Sequence, residues 1–320
     1  MKRRIRSQIP RDHAGTDLLE FLSKRFPYHT REGWRERIDA GRVHVNDQPA
    51  AADRVLAYRD RIDYLAEVLA EPPVRFDVGV VFDDADLLVV NKPPNLPCHP
   101  GGRYFEHTLW AWIRHEIGLD EPVFVNRIDR ETSGLVVVAR TPAAAKRCRA
   151  EFAGRRAEKQ YLTFVEGRFP EAMTAQGWLI AEGTGPVRKR RRFLPAEPGA
   201  TPPAPAAQWA VTHLRRTGIH GPISAVAVTL ETGRLHQIRA TLLALGYPVV
   251  GDKLYGPDPG IFLRFCTDAM TDDDRRRLRL PRQALHAEGL RFRHPSTRQL
   301  LDLHAPVPED MKGLTHDHPI

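Results

Sequence analysis

The stretch Asn126-Arg-Ile-Asp-Arg-Glu-Thr-Ser-Gly134 runs directly into the apolar residues Leu135–Val138. A polar loop followed by consecutive apolar, β-branched residues is typical of a loop that leads into a buried strand. One carboxylate, Asp129, lies between Arg127 and Arg130, and neighbouring cations lower the pKa of a carboxyl group. The loop therefore predicts a carboxylate that stays ionised at neutral pH, as a nucleophile or an electrostatic stabiliser. A turn cap or a surface salt bridge is the open alternative.

A second segment, Leu230-Glu-Thr-Gly-Arg-Leu-His-Gln-Ile-Arg239, marks the end of a strand and the start of a helix. The expected helix covers about residues 234–245 and is closed by Gly246, and its apolar stripe would be Leu235, Ile238, Leu242 and Leu245. Arg239 would project beside that stripe, and an inward-facing arginine needs an anion. Asp129, Glu231 or Asp252 would each satisfy it, and the pattern alone favours a purely structural salt bridge.

A third segment, Lys159-Gln-Tyr-Leu-Thr-Phe-Val-Glu-Gly167, alternates in the manner of a strand. Its period places Tyr161, Thr163 and Val165 on one face. A tyrosine on a strand most often serves packing. Its functional use would be an aromatic platform for a base, with a hydroxyl that accepts or donates a proton.

Composition narrows the classes of protein. The length of 320 residues predicts about two domains. The composition, with 42% hydrophobic and 28% charged residues of mixed sign, predicts a packed core and excludes a disordered polyelectrolyte. No apolar run approaches the roughly 20 residues of a membrane span, so an integral membrane protein is not expected. No apolar stretch follows the basic start, so a secretory signal is not expected. Three separated cysteines without a C-x-x-C pattern exclude a zinc ribbon and a disulfide scaffold, and they fit a reducing cytoplasm. The net charge of +8 favours a polyanionic partner.

The pattern along the chain divides it into zones. Residues 13–70 form a small polar zone with helix-like stretches at 17–22 and 31–38, and residues 71–78, with paired prolines, form a linker. Residues 79–306 form a larger domain, and residues 307–320 form a tail. Strand-like runs are numerous there and often adjacent without an intervening helix, so an α+β fold is expected rather than a βαβ repeat.

Together these three segments, in this order, resemble the RluA-like family of RNA pseudouridine synthases. That family carries an H-R-L-D-x-x-T-S-G loop, a K-x-Y strand and an E-T-G-R-x-H-Q-I-R segment, matched by residues 126–134, 159–161 and 231–239. Further matches are Val90–Pro94, Cys98–Gly102, Pro248–Asp252, Leu254–Gly256, Leu285–Ala287 and Phe292–Pro295. One position departs from the pattern, because Asn126 replaces the family histidine. This change is expected to spare activity but to alter the grip on the neighbouring nucleotide.

The resemblance implies a catalytic core with a mixed, mostly antiparallel sheet flanked by helices and loops. It implies isomerisation of uridine to pseudouridine in RNA after base flipping, with ribosomal RNA favoured over transfer RNA. No metal and no cofactor are required, and the protein is expected to be a cytoplasmic monomer. Two other hypotheses are a catalytically silent RNA-binding or ribosome-assembly protein of the same fold and a glycosidic enzyme that acts on free nucleosides. The basic surface argues against the latter.

The resemblance also assigns roles to single residues. Asp129 would be the catalytic carboxylate, Arg239 would pair with it, and Tyr161 would stack on the uracil and help to move the proton from carbon 5. Arg127 would fill the space left by the flipped base or hold phosphates, and Arg130 is also expected to contact RNA. The strongest basic cluster expected on the RNA backbone is Arg188, Lys189, Arg190, Arg191 and Arg192, followed by Arg275–Arg277 and Arg279.

The front zone resembles the small RNA-binding domain first named from a ribosomal small-subunit protein, in which two helices and a short β element present basic residues. Arg31 and Arg35 fit the basic positions, and Gly41–Asn46 fits the β element. Gly33 and Trp34 depart from that pattern. A small solvated helical domain without RNA contacts is the alternative.

Overall fold

The computed structural model describes residues 3–26, 29–66, 71–183, 187 and 190–315. The chain divides into two compact units, one formed mainly by the residues before Pro73 and one formed mainly by those after it. No helix in the described ranges is long and apolar enough to cross a membrane.

The first unit packs two helices on a four-stranded antiparallel sheet. Its elements are β1 (Arg3–Gln8), α1 (Leu18–Arg25), α2 (Arg31–Asp39), β2 (Val43–Val45), β3 (Gln48–Pro49) and β4 (Arg61–Ala66), with a 3-10 turn at Arg11–His13. The strand order is β1-β4-β2-β3. The side chains of Asp17 and Thr30 cap the two helices. Trp34 is fully buried in this unit's core and its indole N–H donates to the carbonyl of Phe26.

The second unit contains eleven strands and six helices within the described residues. Its strands are β5 (Gly79–Asp83), β6 (Leu87–Lys92), β7 (Val123–Phe124), β8 (Ser133–Ala139), β9 (Glu158–Glu166), β10 (Ala172–Ala181), β11 (Arg191–Pro195), β12 (Gln208–His220), β13 (Ile223–Leu230), β14 (Leu285–Arg293) and β15 (Leu300–His304). Its helices are α3 (Leu109–Glu116), α4 (Pro142–Ala153), α5 (Gln237–Ala244), α6 (Gly260–Cys266), α7 (Asp272–Leu278) and α8 (Glu309–Lys312), with a 3-10 turn at Gly313–Thr315.

The eleven strands form one sheet. Its order is β11-β10-β12-β13-β9-β14-β8-β6-β5, with β15 paired to β14 and β7 paired to β8. Among the described strands, β8 and β14 form the parallel pair, and the other pairs are antiparallel. The predicted α+β fold with a mixed, mostly antiparallel sheet is confirmed.

The parallel pair requires a glycine. Gly134 lies in β8 with φ +112°, a backbone conformation that L side chains rarely adopt. A Cβ atom added there would lie 2.2 Å from the carbonyl oxygen of Ala287 in β14. The missing side chain therefore lets the two strands approach each other, and this contact fixes the end of the loop that carries Asp129.

Helix α5 begins later than its hydrophobic pattern predicted. His236 adopts a left-handed conformation with φ +55°, and the side chain of Gln237 accepts hydrogen bonds from the Thr232 hydroxyl and the Arg234 N–H. These bonds close a turn before the helix. Leu235 is accordingly 43% exposed, so the expected apolar stripe beginning at Leu235 is wrong. Gly246, at φ +86°, ends the helix as predicted.

Candidate active site

Arg239 of α5 joins two carboxylates in the core of the second unit. Its Nη1 donates to Oδ2 of Asp129 at 2.6 Å, and its Nε and Nη2 donate to both oxygens of Asp252, at 2.6 and 2.9 Å. Two of the three acids that the sequence offered are therefore partners. Glu231 instead pairs with His213 at 2.8 Å.

The second carboxylate, Asp252, fixes the direction of the guanidinium. It is almost fully buried, and its Oδ1 also accepts the N–H groups of Leu254 and Tyr255. A bidentate contact of this kind restricts the rotation of an arginine as well as its position. Asp252 therefore holds Arg239 so that its remaining nitrogen, Nη1, meets Asp129.

The two oxygens of Asp129 differ in their surroundings. Oδ2 accepts from Arg239 and, at 3.4 Å, from the side-chain amide of Gln283. Oδ1 accepts no hydrogen bond from a residue in the described ranges, and Nε2 of His236 lies 3.7 Å from it. Burial raises the pKa of the Asp129 carboxyl, but the charge of Arg239, the nearby His236 and the hydrogen bonds from Arg239 and Gln283 together outweigh burial, so the net pKa is lowered. The side chain is 26% exposed, so an ionised oxygen is available to a substrate.

His236 lies between the hydroxyl of Tyr255 and the carboxylate of Asp129. The hydroxyl of Tyr255 accepts the backbone N–H of Arg191 at 2.7 Å and lies 2.9 Å from Nδ1 of His236. Burial lowers the pKa of His236 to about 4, with the Asp129 carboxylate opposing the shift. The imidazole is therefore neutral at neutral pH.

Tyr161 lies on β9, and its hydroxyl stays protonated at neutral pH. Burial, and then the charge of Asp129, raise the pKa of its hydroxyl to about 12. A phenolate is therefore disfavoured at neutral pH, and the group is suited to donating a proton or to passing one on. Tyr161 and its neighbours Gln160 and Leu162 line an open groove of about 850 Å³.

Buried polar residues from distant segments hold the loop that carries Asp129. The ammonium of Lys92 donates to the carbonyls of Pro93 and Arg130, and burial lowers its pKa to about 8. Lys253 pairs with Glu131 at 3.0 Å. Sequence reasoning assigned none of these residues a role. The available signal was a charged residue at the end of a strand-like run, as for Lys92, which follows Leu87–Val90 after Asn91.

Asn126 and Arg127 begin the same loop. The Asn126 side chain accepts the backbone N–H of Val137 at 2.7 Å and donates to the carbonyl of Leu135 at 3.3 Å, so it ties the loop to β8. Arg127 is exposed. It lines a cavity of about 330 Å³ whose other lining residues include His99, Phe124, Asn126 and Arg149.

The other predicted RNA contacts have different surroundings. Arg130 is engaged by the Tyr104 hydroxyl and Glu131, both at 2.9 Å. Arg190 pairs with Glu182 at 3.0 Å. Arg191 and Arg192 begin β11. Arg188 and Lys189 lie outside the described residues, and Arg31 and Arg35 are exposed on α2 of the first unit.

No group of three or more His, Cys, Asp or Glu side chains in the described part of the chain is arranged to hold a metal ion.

Comparison with known proteins identifies the family. Residues 86–244 match the family model described as RNA pseudouridylate synthase. An uncharacterized RNA pseudouridine synthase of Chlorobaculum parvum is 32% identical over 310 residues, covering 91% of this chain and 90% of the relative. The ribosomal large subunit pseudouridine synthase D of Vibrio parahaemolyticus is 32% identical over 321 residues, covering 97% of this chain and 93% of the relative.

A solved structure of a protein named for the same family has a similar fold. Human RNA Pseudouridylate Synthase Domain Containing 1 superposes with a TM-score of 0.58 at 26% identity, covering 78% of this chain and 91% of that one. Fold and relatives together define an RNA-modifying isomerase. The chain belongs to the RNA pseudouridylate synthase family, as its resemblance to the RluA-like enzymes predicted. Its reaction is the isomerisation of uridine in RNA.

Proposed function

We propose that this enzyme modifies uridines of large-subunit ribosomal RNA and that Asp129 is its catalytic carboxylate. The observation that carries the assignment is the asymmetry of that carboxylate. Arg239 and Gln283 occupy Oδ2 and keep the group ionised, while Oδ1 accepts no hydrogen bond from a described residue. The relatives named for the ribosomal large subunit support the choice of RNA.

The reaction needs a carboxylate beside the sugar. Breaking the bond between N1 of uracil and the anomeric carbon leaves an electron-poor centre, which a fixed negative charge stabilises, as in glycoside hydrolysis. The uracil then turns and its carbon 5 bonds to the same anomeric carbon, after which the proton on carbon 5 leaves. Tyr161, with a neutral phenol on the same side of the sheet, would stack on the uracil and relay that proton.

The RNA would be held by positive side chains around the site. Arg127, exposed beside Asp129, would fill the space left by the flipped base or hold a neighbouring phosphate. Arg191 and Arg192 would contact the backbone, and Arg31 and Arg35 of the first unit would add a separate RNA contact. The enzyme would act as a monomer in the cytoplasm.

Tritium release tests the proposal. Transcripts of large-subunit ribosomal RNA and of transfer RNA, each labelled with tritium on carbon 5 of uridine, are incubated with the wild type, Asp129→Asn and the surface control Asp302→Asn. The expected result is release from ribosomal RNA by the wild type and the control and none by Asp129→Asn. Equal release by Asp129→Asn would overturn the catalytic assignment, and release from transfer RNA alone would overturn the choice of substrate. RNA binding with no release from any transcript would support a silent RNA-binding protein instead.

A further inference from the structure

Lys159 is a buried cation without a partner among the described residues. It lies on β9 and is 8% exposed. Its ammonium has no hydrogen-bond or ion-pair partner among the described residues, and the charged groups that act on its pKa, Arg234 and Arg155, are both cations. A largely buried charge without a counter-ion is unfavourable, so this position favours the binding of an anion.

Two neighbouring cations add to the positive charge around this ammonium. Burial lowers the pKa of Lys159, and the charges of Arg234 and Arg155 lower it further. Arg234 and Arg155 are both exposed. Glu231 follows the end of β13, whose last residue, Leu230, is paired with Lys159. Glu231 pairs with His213 at 2.8 Å and with Nη1 of Arg155 at 3.9 Å, and it makes no ion pair with Lys159 among the described residues.

There is room for a ligand beside the ammonium. The neighbouring residue is Gly233, and a Cβ atom added to it would lie 3.6 Å from Nζ of Lys159. The absence of a side chain at Gly233 leaves this side of the ammonium uncovered. Lys159 is also two residues before Tyr161 and on the same face of β9, which places the two about 7 Å apart along the strand.

We propose that Lys159, with Arg155 and Arg234, binds a backbone phosphate of the RNA next to the nucleotide that enters the active site. A phosphodiester supplies the negative charge that Lys159 lacks. Its other oxygens can accept hydrogen bonds from the exposed arginines. Binding would then place the sugar of the target nucleotide between this site and Asp129. The inference rests on the proposed function only for the position of the target uridine.

Salt dependence of RNA binding tests the phosphate contact. Binding of a large-subunit ribosomal RNA transcript is measured at several salt concentrations for the wild type, Lys159→Met, Lys159→Arg and the exposed control Lys146→Met. We expect Lys159→Met to bind about tenfold more weakly and to reduce the slope of log affinity against log salt by roughly one, because one phosphate contact is lost. Lys159→Arg should keep the slope, and Lys146→Met should match the wild type. An unchanged slope in Lys159→Met would overturn the proposal.

Neutral phosphate substitutions locate the contact. A series of RNA oligonucleotides carries a single methylphosphonate at successive positions around the modified uridine. One position next to that uridine should weaken binding to the wild type about tenfold and leave binding to Lys159→Met unchanged. If every position weakens both proteins equally, the phosphate site is absent. Because binding is read without turnover, a failure of tritium release would refute the proposed reaction and leave this result standing.

Discussion

Two buried cations of the catalytic unit, Arg239 and Lys159, have opposite surroundings. Their exposed fractions are nearly the same, 7% and 8%. Arg239 makes three hydrogen bonds to two carboxylates. Lys159 makes none to a described residue, and the charges nearest to it that shift its pKa are those of Arg234 and Arg155. Similar burial therefore accompanies two different electrostatic situations.

The presence or absence of a counter-ion suits the two cations to different roles. A buried cation that already has its counter-ions is neutralised without a ligand, so it can hold Asp129 in one orientation before RNA arrives. A buried cation without a counter-ion remains available to a ligand, and its desolvation cost is recovered when the ligand binds. The comparison predicts that removing the two charges changes the stability of the free protein in opposite directions.

The largest effect is expected for the paired cation. Arg239→Leu leaves Asp129 and Asp252 as two carboxylates without their shared partner, and breaking a buried ion pair costs about 3–5 kcal/mol. Urea denaturation should show that loss in the free energy of unfolding, and tritium release should be abolished. Arg239→Lys, which keeps the charge but loses the bidentate contact, should fold and release tritium more slowly. A stability of Arg239→Leu equal to that of the wild type would show that the pairing does not matter.

The pH dependence of stability should expose the histidine beside this pair. The pKa of His236 falls from 6.5 to about 4 on folding. Between these values the unfolded chain binds more protons, so its contribution is complete above pH 6.5 and is lost as the pH falls toward 4. A shift of this size corresponds to about 3 kcal/mol.

The variant His236→Gln removes this titration. Its free energy of unfolding should fall less than that of the wild type between pH 7 and pH 4, while the acid response of Asp129, whose pKa is also lowered, is retained below that range. Parallel curves for the two proteins would mean that His236 is not held neutral by its surroundings.

Tyr161 is related to both cations. It shares a face of β9 with Lys159, and the charge of Asp129, the partner of Arg239, raises the pKa of its hydroxyl. Tyr161→Phe keeps an aromatic ring for stacking and removes the hydroxyl. We expect kcat to fall roughly 100-fold with little change in KM, since loss of proton transfer slows turnover without loss of binding. Tyr161→Leu should raise KM as well. A wild-type kcat in Tyr161→Phe would exclude the hydroxyl from the reaction.

Much of the fold could be predicted from local pattern. Apolar, β-branched runs such as Leu135–Val138 become buried strands, because a sheet covered on both faces needs continuous apolar residues. The start of α5 was less predictable. Its periodicity continues into Leu235, but the side chain of Gln237 closes a turn there and His236 takes a left-handed conformation. Side-chain bonds to the backbone override periodicity at such ends.

The site could be predicted in part. The motifs indicated that Arg239 needs an anion, yet three acids were equally compatible with that need. The choice between Glu231 and Asp252 depends on the face to which each acid points and on the turn after Gly251, which are tertiary properties. The isolation of Lys159 was equally hidden, because a missing partner is visible only when all neighbouring segments are placed. Sequence spacing reports which charges exist, and the fold decides which of them meet.

The smallest expected effect is the stability of Lys159→Met without RNA. The methionine keeps most of the apolar stem and removes an ammonium that pairs with no described residue, so the cost of burying that charge disappears. We expect the free energy of unfolding to rise by about 1 kcal/mol, in contrast to the loss expected for Arg239→Leu. Urea denaturation at low ionic strength measures it, with Lys146→Met as the exposed control.

Added RNA should reverse the order of stability between these two proteins. Saturating large-subunit ribosomal RNA should stabilise the wild type more than Lys159→Met, because a ligand stabilises the folded state according to its affinity. If Lys159→Met is instead destabilised in the absence of RNA, then its ammonium contributes to the folded state, and Lys159 belongs with Arg239 as a residue that maintains the structure.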